Sequence, residues 1–216
     1  MLLKTRAGYS KAERRSDAVV HVAGLAAVAV AVPALIGLTL WQGGGPREVL
    51  GVGIYGATLL AMILFSALYN MSRSPRWQGL LRRLDHSAIY AKIAGTYTPF
   101  TLTAGGHSGY LLAGLWTAAL AGIGLKAISP ARLRWVALAL YLGMGWAGIL
   151  AGGGFVGELS PAVLRLILIG GGLYTLGVAF FLFERLPFHY TIWHVLVLVA
   201  SLVFYAAVTV HVVQTA

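Results

Sequence analysis

Long apolar runs recur along this chain with so little polar sequence between them that most of it must be solvated by lipid. About twenty apolar residues in helical conformation cross the ~30 Å hydrocarbon layer of a bilayer. At 216 residues, 59% hydrophobic and 10% charged, the chain has room for little besides such segments. The runs between charges and turn formers predict an all-α, polytopic seven-transmembrane helix bundle that forms one domain over residues 1–216. Helices are expected near 17–41, 49–70, 85–104, 109–126, 132–152, 161–184 and 189–214, behind a basic lead of residues 1–16. Breakers fall between them: Gly43-Gly44-Gly45-Pro46, Ser74-Pro75, Gly105-Gly106, Ser129-Pro130, Ser160-Pro161 and Leu186-Pro187. Pro33 and Pro99 fall inside helices and predict kinks. The runs Gly152-Gly153-Gly154 and Gly170-Gly171-Gly172 suit close helix packing.

The formal net charge of +10 does not point to nucleic acid, because the basic residues form short clusters between apolar runs and not one folded face. Lys4, Arg6, Lys11, Arg14 and Arg15 lead the chain; Arg73, Arg76, Arg82 and Arg83 fill the second loop; Lys126, Arg132 and Arg134 mark the fourth, and Arg185 the sixth. The alternate loops are poor in Lys and Arg. By the positive-inside rule the N-terminus is cytoplasmic and the C-terminus outside, in a multi-pass protein of the inner (plasma) membrane whose partners are membrane lipids. Trp41, Trp135 and Trp193 fall at expected helix ends, where an aromatic belt would place them. With no cysteine, thiolate ligands and cysteine nucleophiles are excluded, so a metal would need His, Asp or Glu.

Ionisable residues inside a bilayer cost about 2.5–3.5 kcal/mol each, so their positions carry information. The expected topology places His21, Ser66, Asn70, Asp85, His86, His189 and His194 in the inner half of the membrane. Glu13, Asp17 and His21 form one stripe at i, i+4, i+8 on the first helix, and Ser66 and Asn70 pair in the same way on the second. Lys92 follows Asp85 by two turns on the same face, about 10 Å further in. Internal hydrogen bonds that fix helix packing account for this spacing as well as a functional site does.

Several segments are similar to the hemolysin III branch of the progestin and adipoQ receptor proteins, which are adiponectin receptor-like. They are Glu13…Asp17…His21, Ser66-Ala-Leu-Tyr-Asn70, Leu84-Asp85-His86-Ser87-Ala88-Ile89-Tyr90 continuing to Ala94-Gly95-Thr96-Tyr97-Thr98-Pro99-Phe100, and Ile192-Trp193-His194. The resemblance covers nearly the whole chain in the same order. It implies a seven-helix protein in which three histidines hold zinc near the cytoplasmic face. In the receptor branch zinc is associated with hydrolysis of lipid amides such as ceramide, and bacterial members are associated with haemolysis and membrane-lipid homeostasis. Three imidazoles would leave a fourth zinc position for water, with an aspartate to orient it.

The chain departs from that pattern at the ligands. Asn70 and Tyr190 stand where the family places histidines, so only His194 occupies an expected ligand position. A displaced His189 would be the second metal ligand, although five residues along a helix set it about 140° from His194. These replacements argue against a tight three-histidine zinc site. In the amidase reading Asp85 and Ser66 would be the catalytic groups. Otherwise Glu13, Asp17, His21, Asn70, His86, Lys92 and Tyr190 form a polar network, with the Lys92 ammonium held by Asp85 or water in place of the zinc charge. Three functions stay open: a hemolysin III-like protein of lipid homeostasis or cytolysis, a zinc-dependent intramembrane lipid amidase, and a proton or small-ion pathway through Asp85, Lys92, His21 and His194.

Overall fold

The computed structural model describes residues 9–72, 74–104, 108–128 and 134–215. Lys4, Arg6, Arg73, Gly105, Gly106, Ser129, Pro130 and Arg132, singled out above, lie outside the described residues. Eight helices occur among them and no strand: α1 Lys11–Trp41, α2 Pro46–Met71, α3 Pro75–Thr103, α4 Ser108–Ile128, α5 Arg134–Leu150, α6 Gly153–Val156, α7 Pro161–Leu182 and α8 His189–Thr215. Five of these, α1, α2, α4, α7 and α8, are long and apolar enough to cross a membrane.

Two helices start well before their apolar runs. The expected start of the first helix at residue 17 is corrected to Lys11, because Ser10 and Glu13 close a capping box. The Ser10 hydroxyl accepts from the Glu13 N–H at 3.1 Å, and the Glu13 carboxylate accepts from the Ser10 N–H at 2.7 Å. The third helix starts at Pro75 and not at 85, with proline in its first turn where no N–H is needed. Charge limits how much of a helix sits in hydrocarbon; it does not end the helix.

The elements close into a ring in which α1 packs on α2, α2 on α3, α3 on α4, α4 on α5, α5 on α7, α7 on α8, and α8 back on α1. The third helix also reaches α5 and α8, and is sheathed by protein: every residue from Ala94 to Thr101 is buried. This explains how α3 tolerates its polar residues, since its surroundings are side chains rather than lipid. The hydroxyls of Thr96, Thr98, Thr101 and Thr103 donate to carbonyls one turn back, at Lys92, Ala94, Tyr97 and Pro99.

The opposite arrangement holds on α1, where Asp17, His21, Gly24, Val28, Leu35 and Thr39 face inward while Val19, Val22 and Val30 are exposed. Large apolar residues outside and polar ones within are what lipid as solvent selects. Gly170 delivers the expected close packing, since a Cβ there would lie 2.7 Å from the Phe204 ring. Gly152 does not; with φ 75° it turns the chain out of α5, a conformation glycine adopts without strain. Trp41 and Trp135 are exposed at helix ends as a belt requires, but Trp193 packs on Phe181 and over Gly177.

Candidate functional site

At the end of the bundle where α1 and α8 begin and α2 finishes, the Glu13–Asp17–His21 stripe meets the first turns of α8. The capping box aims one Glu13 oxygen at Ser10 and leaves the other to accept from the Phe188 N–H at 3.1 Å. Phe188 has φ 58°, a left-handed backbone that costs a bulky residue about 1–3 kcal/mol, and this contact helps hold it. One turn on, Ser16 and Thr191 hydroxyls meet at 3.1 Å. Deeper still, Asp17 and His194 are both buried and joined.

Asp17 organises two imidazoles. His194 Nδ1 donates to Asp17 Oδ1 at 2.6 Å, and His21 Nδ1 donates to the Asp17 carbonyl at 2.8 Å, with Asp17 Oδ2 at 3.6 Å. Both acceptors are oxygens that cannot donate, so each neutral ring carries its proton on Nδ1 and keeps a lone pair on Nε2. His21 Nε2 takes up the Ser66 hydroxyl at 3.1 Å. The rings stand edge to face, centroids 4.4 Å apart. One ligand atom from each of Asp17, His21 and His194 lies within 4.8 Å of the others, so this buried cluster could hold a metal ion.

A family model described as haemolysin-III related matches residues 10–205. The chain belongs to that family. The haemolysin-III-related chain is 38% identical to Hemolysin-3 of Bacillus cereus, with 94% of each covered. It is 34% identical to the Hemolysin-3 homolog of Bacillus subtilis (strain 168), covering 94% of this chain and 95% of that one. It is also 27% identical to the human Monocyte to macrophage differentiation factor, over 82% of this chain and 77% of the relative. The protein is thus a haemolysin-III family membrane protein with adiponectin receptor-like relatives.

Among the residues named from the sequence, the haemolysin-III fold brings some together and separates others. His21, treated as a bystander to any metal, is in the cluster with Asp17. His189, expected as the second ligand, instead shares a hydrogen bond between its Nε2 and the Tyr9 hydroxyl at 3.1 Å. Burial, then the nearby Glu184 and Glu13 carboxylates, push the Tyr9 hydroxyl up to about 12, so it stays protonated at neutral pH. Tyr190 stacks on Tyr9 and meets His194 edge to face at 4.5 Å, within electrostatic reach of Asp85 and Asp17. Asn70 turns back along its own helix, donating to the Ser66 carbonyl at 3.0 Å and the Ser66 hydroxyl at 3.3 Å. His86 sits apart, its ring edge to face with Tyr69 and its carbonyl accepting from the Tyr141 hydroxyl.

Lys92 does not join this site, and the expected pairing with Asp85 is corrected. Among the described residues it forms no ion pair; its ammonium lies 4.8 Å from the ring centre of Phe204, 5.0 Å from Tyr174 and 5.9 Å from Tyr55. A desolvated cation–π contact contributes about 2 kcal/mol. Two of them, at about 4 kcal/mol, therefore suffice to offset the ~2.5–3.5 kcal/mol cost of a lysine at mid-membrane.

Proposed function

We propose that this haemolysin-III family protein crosses the membrane seven times with its N-terminus in the cytoplasm, and that it acts on membrane lipids through a zinc ion held by Asp17, His21 and His194 near the inner face. Helices α3 and α5 supply the two crossings beyond the five strongly apolar ones. The former is sheathed by its neighbours, and the latter, at 17 residues, spans about 26 Å. The clusters Lys11, Arg14, Arg15 and Arg76, Arg82, Arg83 lie on the side assigned to the cytoplasm.

The observation that carries the metal reading is the convergence of the three ligand atoms within 4.8 Å. Two imidazoles and a carboxylate are a donor set suited to zinc, and with each Nδ1 proton committed to an oxygen the ligand nitrogen of each ring would be Nε2, which on His21 the Ser66 hydroxyl would have to vacate. Asp17 would then serve as ligand or as the group that fixes the His194 ring. Zinc bound there supplies a Lewis acid for a lipid carbonyl and lowers the pKa of a water toward neutrality. Tyr190 and Asp85, at the same level, would orient the polar part of a lipid amide or its attacking water, while the acyl chain stays in the bilayer. The role in lipid homeostasis follows from this site; cytolysis follows only from the names of the Bacillus relatives.

A metal-free variant has one specific observation in its favour. Ser66 Oγ, His21 Nε2, His21 Nδ1 and the Asp17 carbonyl form a linear series of contacts at 3.1 and 2.8 Å, the order in which a base activates a serine nucleophile. A proton path through Lys92 is disfavoured, because aromatic rings enclose the ammonium where a relay needs hydrogen-bonding groups.

The deciding experiment is metal analysis of protein purified in mild detergent without chelator, beside His194→Ala, followed by hydrolysis of a fluorescent ceramide. One zinc per chain that is lost in the variant, with turnover that requires it, is the expected result. Absence of metal after incubation with zinc sinks the metal reading and leaves the Ser66–His21 pair as the remaining route to hydrolysis.

A further inference from the structure

The environment of Lys92 is a second site, built from different residues and separate from the cluster on α1 and α8. The side chain is 3% exposed and enters a space where α2, α3, α7 and α8 converge, with ring faces from three of those helices toward its ammonium. Two of the rings are held by contacts that do not involve the lysine. Tyr174 is anchored through its hydroxyl to Ser201 Oγ at 2.7 Å, and that hydroxyl in turn donates to the Val197 carbonyl at 2.8 Å. Phe204 packs closely on Gly170, where any Cβ would meet its ring at 2.7 Å. Tyr55 is fully buried and its hydroxyl has no hydrogen-bond partner among the described residues. The ring of Tyr55 thus meets the ammonium while its hydroxyl makes no such contact.

We infer that Tyr55, Tyr174 and Phe204 form an organic-cation site in the middle of the bundle, selective for an alkylammonium group, which the chain fills with its own Lys92. Ring faces carry negative potential, so three of them around one point attract a cation and repel an anion. That excludes a carboxylate or halide as the natural occupant and accounts for a lysine without an acidic partner. The occupant also ties α3 to α2, α7 and α8 at one point, so its loss should loosen contacts between four helices together.

Lys92→Ala keeps Cβ and removes the atoms of n-propylammonium, which makes that ion the probe. Full-length variant in detergent is expected to melt several degrees below the parent, to regain most of the loss with n-propylammonium chloride, and to regain little with n-propanol or sodium chloride. Equal recovery with n-propanol, no recovery, or an unchanged melting temperature each overturns the inference. A double-mutant cycle with Lys92→Met and Phe204→Leu decides the matter if the alanine variant does not fold. Phe204→Leu is expected to lower the melting temperature clearly more in the parent than in the Lys92→Met background, and equal shifts in both reject the site.

Discussion

His194 Nδ1 donates to Asp17 Oδ1 across 2.6 Å, joining residues 177 positions apart. This contact closes the helix ring at the point where α1 and α8 meet, with the Asp17 carboxylate buried between the two helices. Around it Glu13 holds Phe188, Ser16 meets Thr191, and Tyr9 reaches His189, so the first turns of α8 are fastened to the α1 stripe turn by turn. Such fastening gives the site the rigidity that metal binding or nucleophile activation requires.

Asp17→Asn tests the carboxylate itself. The amide oxygen can still accept from His194 Nδ1, so the rings keep their places, while the negative charge is gone. Zinc affinity is expected to fall about 10–100-fold with little change in melting temperature. Competitive titration against a fluorescent zinc chelator measures it; unchanged affinity would assign Asp17 a purely structural role.

The apolar runs made the helices legible because lipid leaves few alternatives, and the Asp17–His21 stripe was visible as an i, i+4 pair. What the sequence could not convey is which stripe faces which. Residues 21 and 194 meet only because α1 and α8 are neighbours in the ring, a pairing that spacing along either helix does not carry. Lys92 was judged by its distance along one helix from Asp85, whereas its partners come from α2, α7 and α8. An aromatic on an apolar helix, such as Phe204, carries no mark in the sequence that its ring lies beside a cation from another helix. A charge cluster before an apolar run hid the early starts of α1 and α3, although Ser10…Glu13 offered a capping signal.

Tyr97, in the motif that most resembles the family, serves packing. Its hydroxyl donates to the Gly145 carbonyl at 2.7 Å and accepts from the Gly148 N–H at 3.1 Å, pinning α3 to the last turns of α5. Tyr97→Phe leaves both backbone groups without this partner in a water-poor interior, and a cost of about 1–3 kcal/mol is expected. Thermal unfolding in detergent should show the loss with zinc content unchanged; loss of metal without loss of stability would place Tyr97 in the site instead.

Tyr9 gives the protein an alkaline dependence at the mouth of the site. Its pKa is raised from 10.0 to about 12 in the folded protein, so folding favours the neutral hydroxyl. That contribution is fully present below pH 10 and declines as the pH rises from 10 through 12. Because the group is only half-buried, the effect is modest after solvent screening. Melting curves from pH 8 to 11.5 are expected to fall more steeply for the parent than for Tyr9→Phe; parallel curves would mean that the Tyr9–His189 contact has no energetic weight.

Ser66 separates the two chemical readings of the site. Its hydroxyl points at His21 Nε2, the lone pair that a metal needs, and is itself approached by Asn70 Nδ2 at 3.3 Å. If zinc is held by Asp17, His21 and His194, the hydroxyl must turn aside when the ion enters, so Ser66→Ala frees the ligand atom. Zinc affinity is then expected to hold or rise, with ceramide hydrolysis within about tenfold of the parent, the lower end of what outer-shell changes at metal sites cost. If Ser66 is the nucleophile, the same substitution abolishes hydrolysis while leaving any bound zinc in place, and an acyl group trapped on Ser66 of the parent would be found by mass spectrometry. Retained metal with retained turnover therefore assigns the serine to positioning His21, and retained metal with lost turnover assigns it to the reaction.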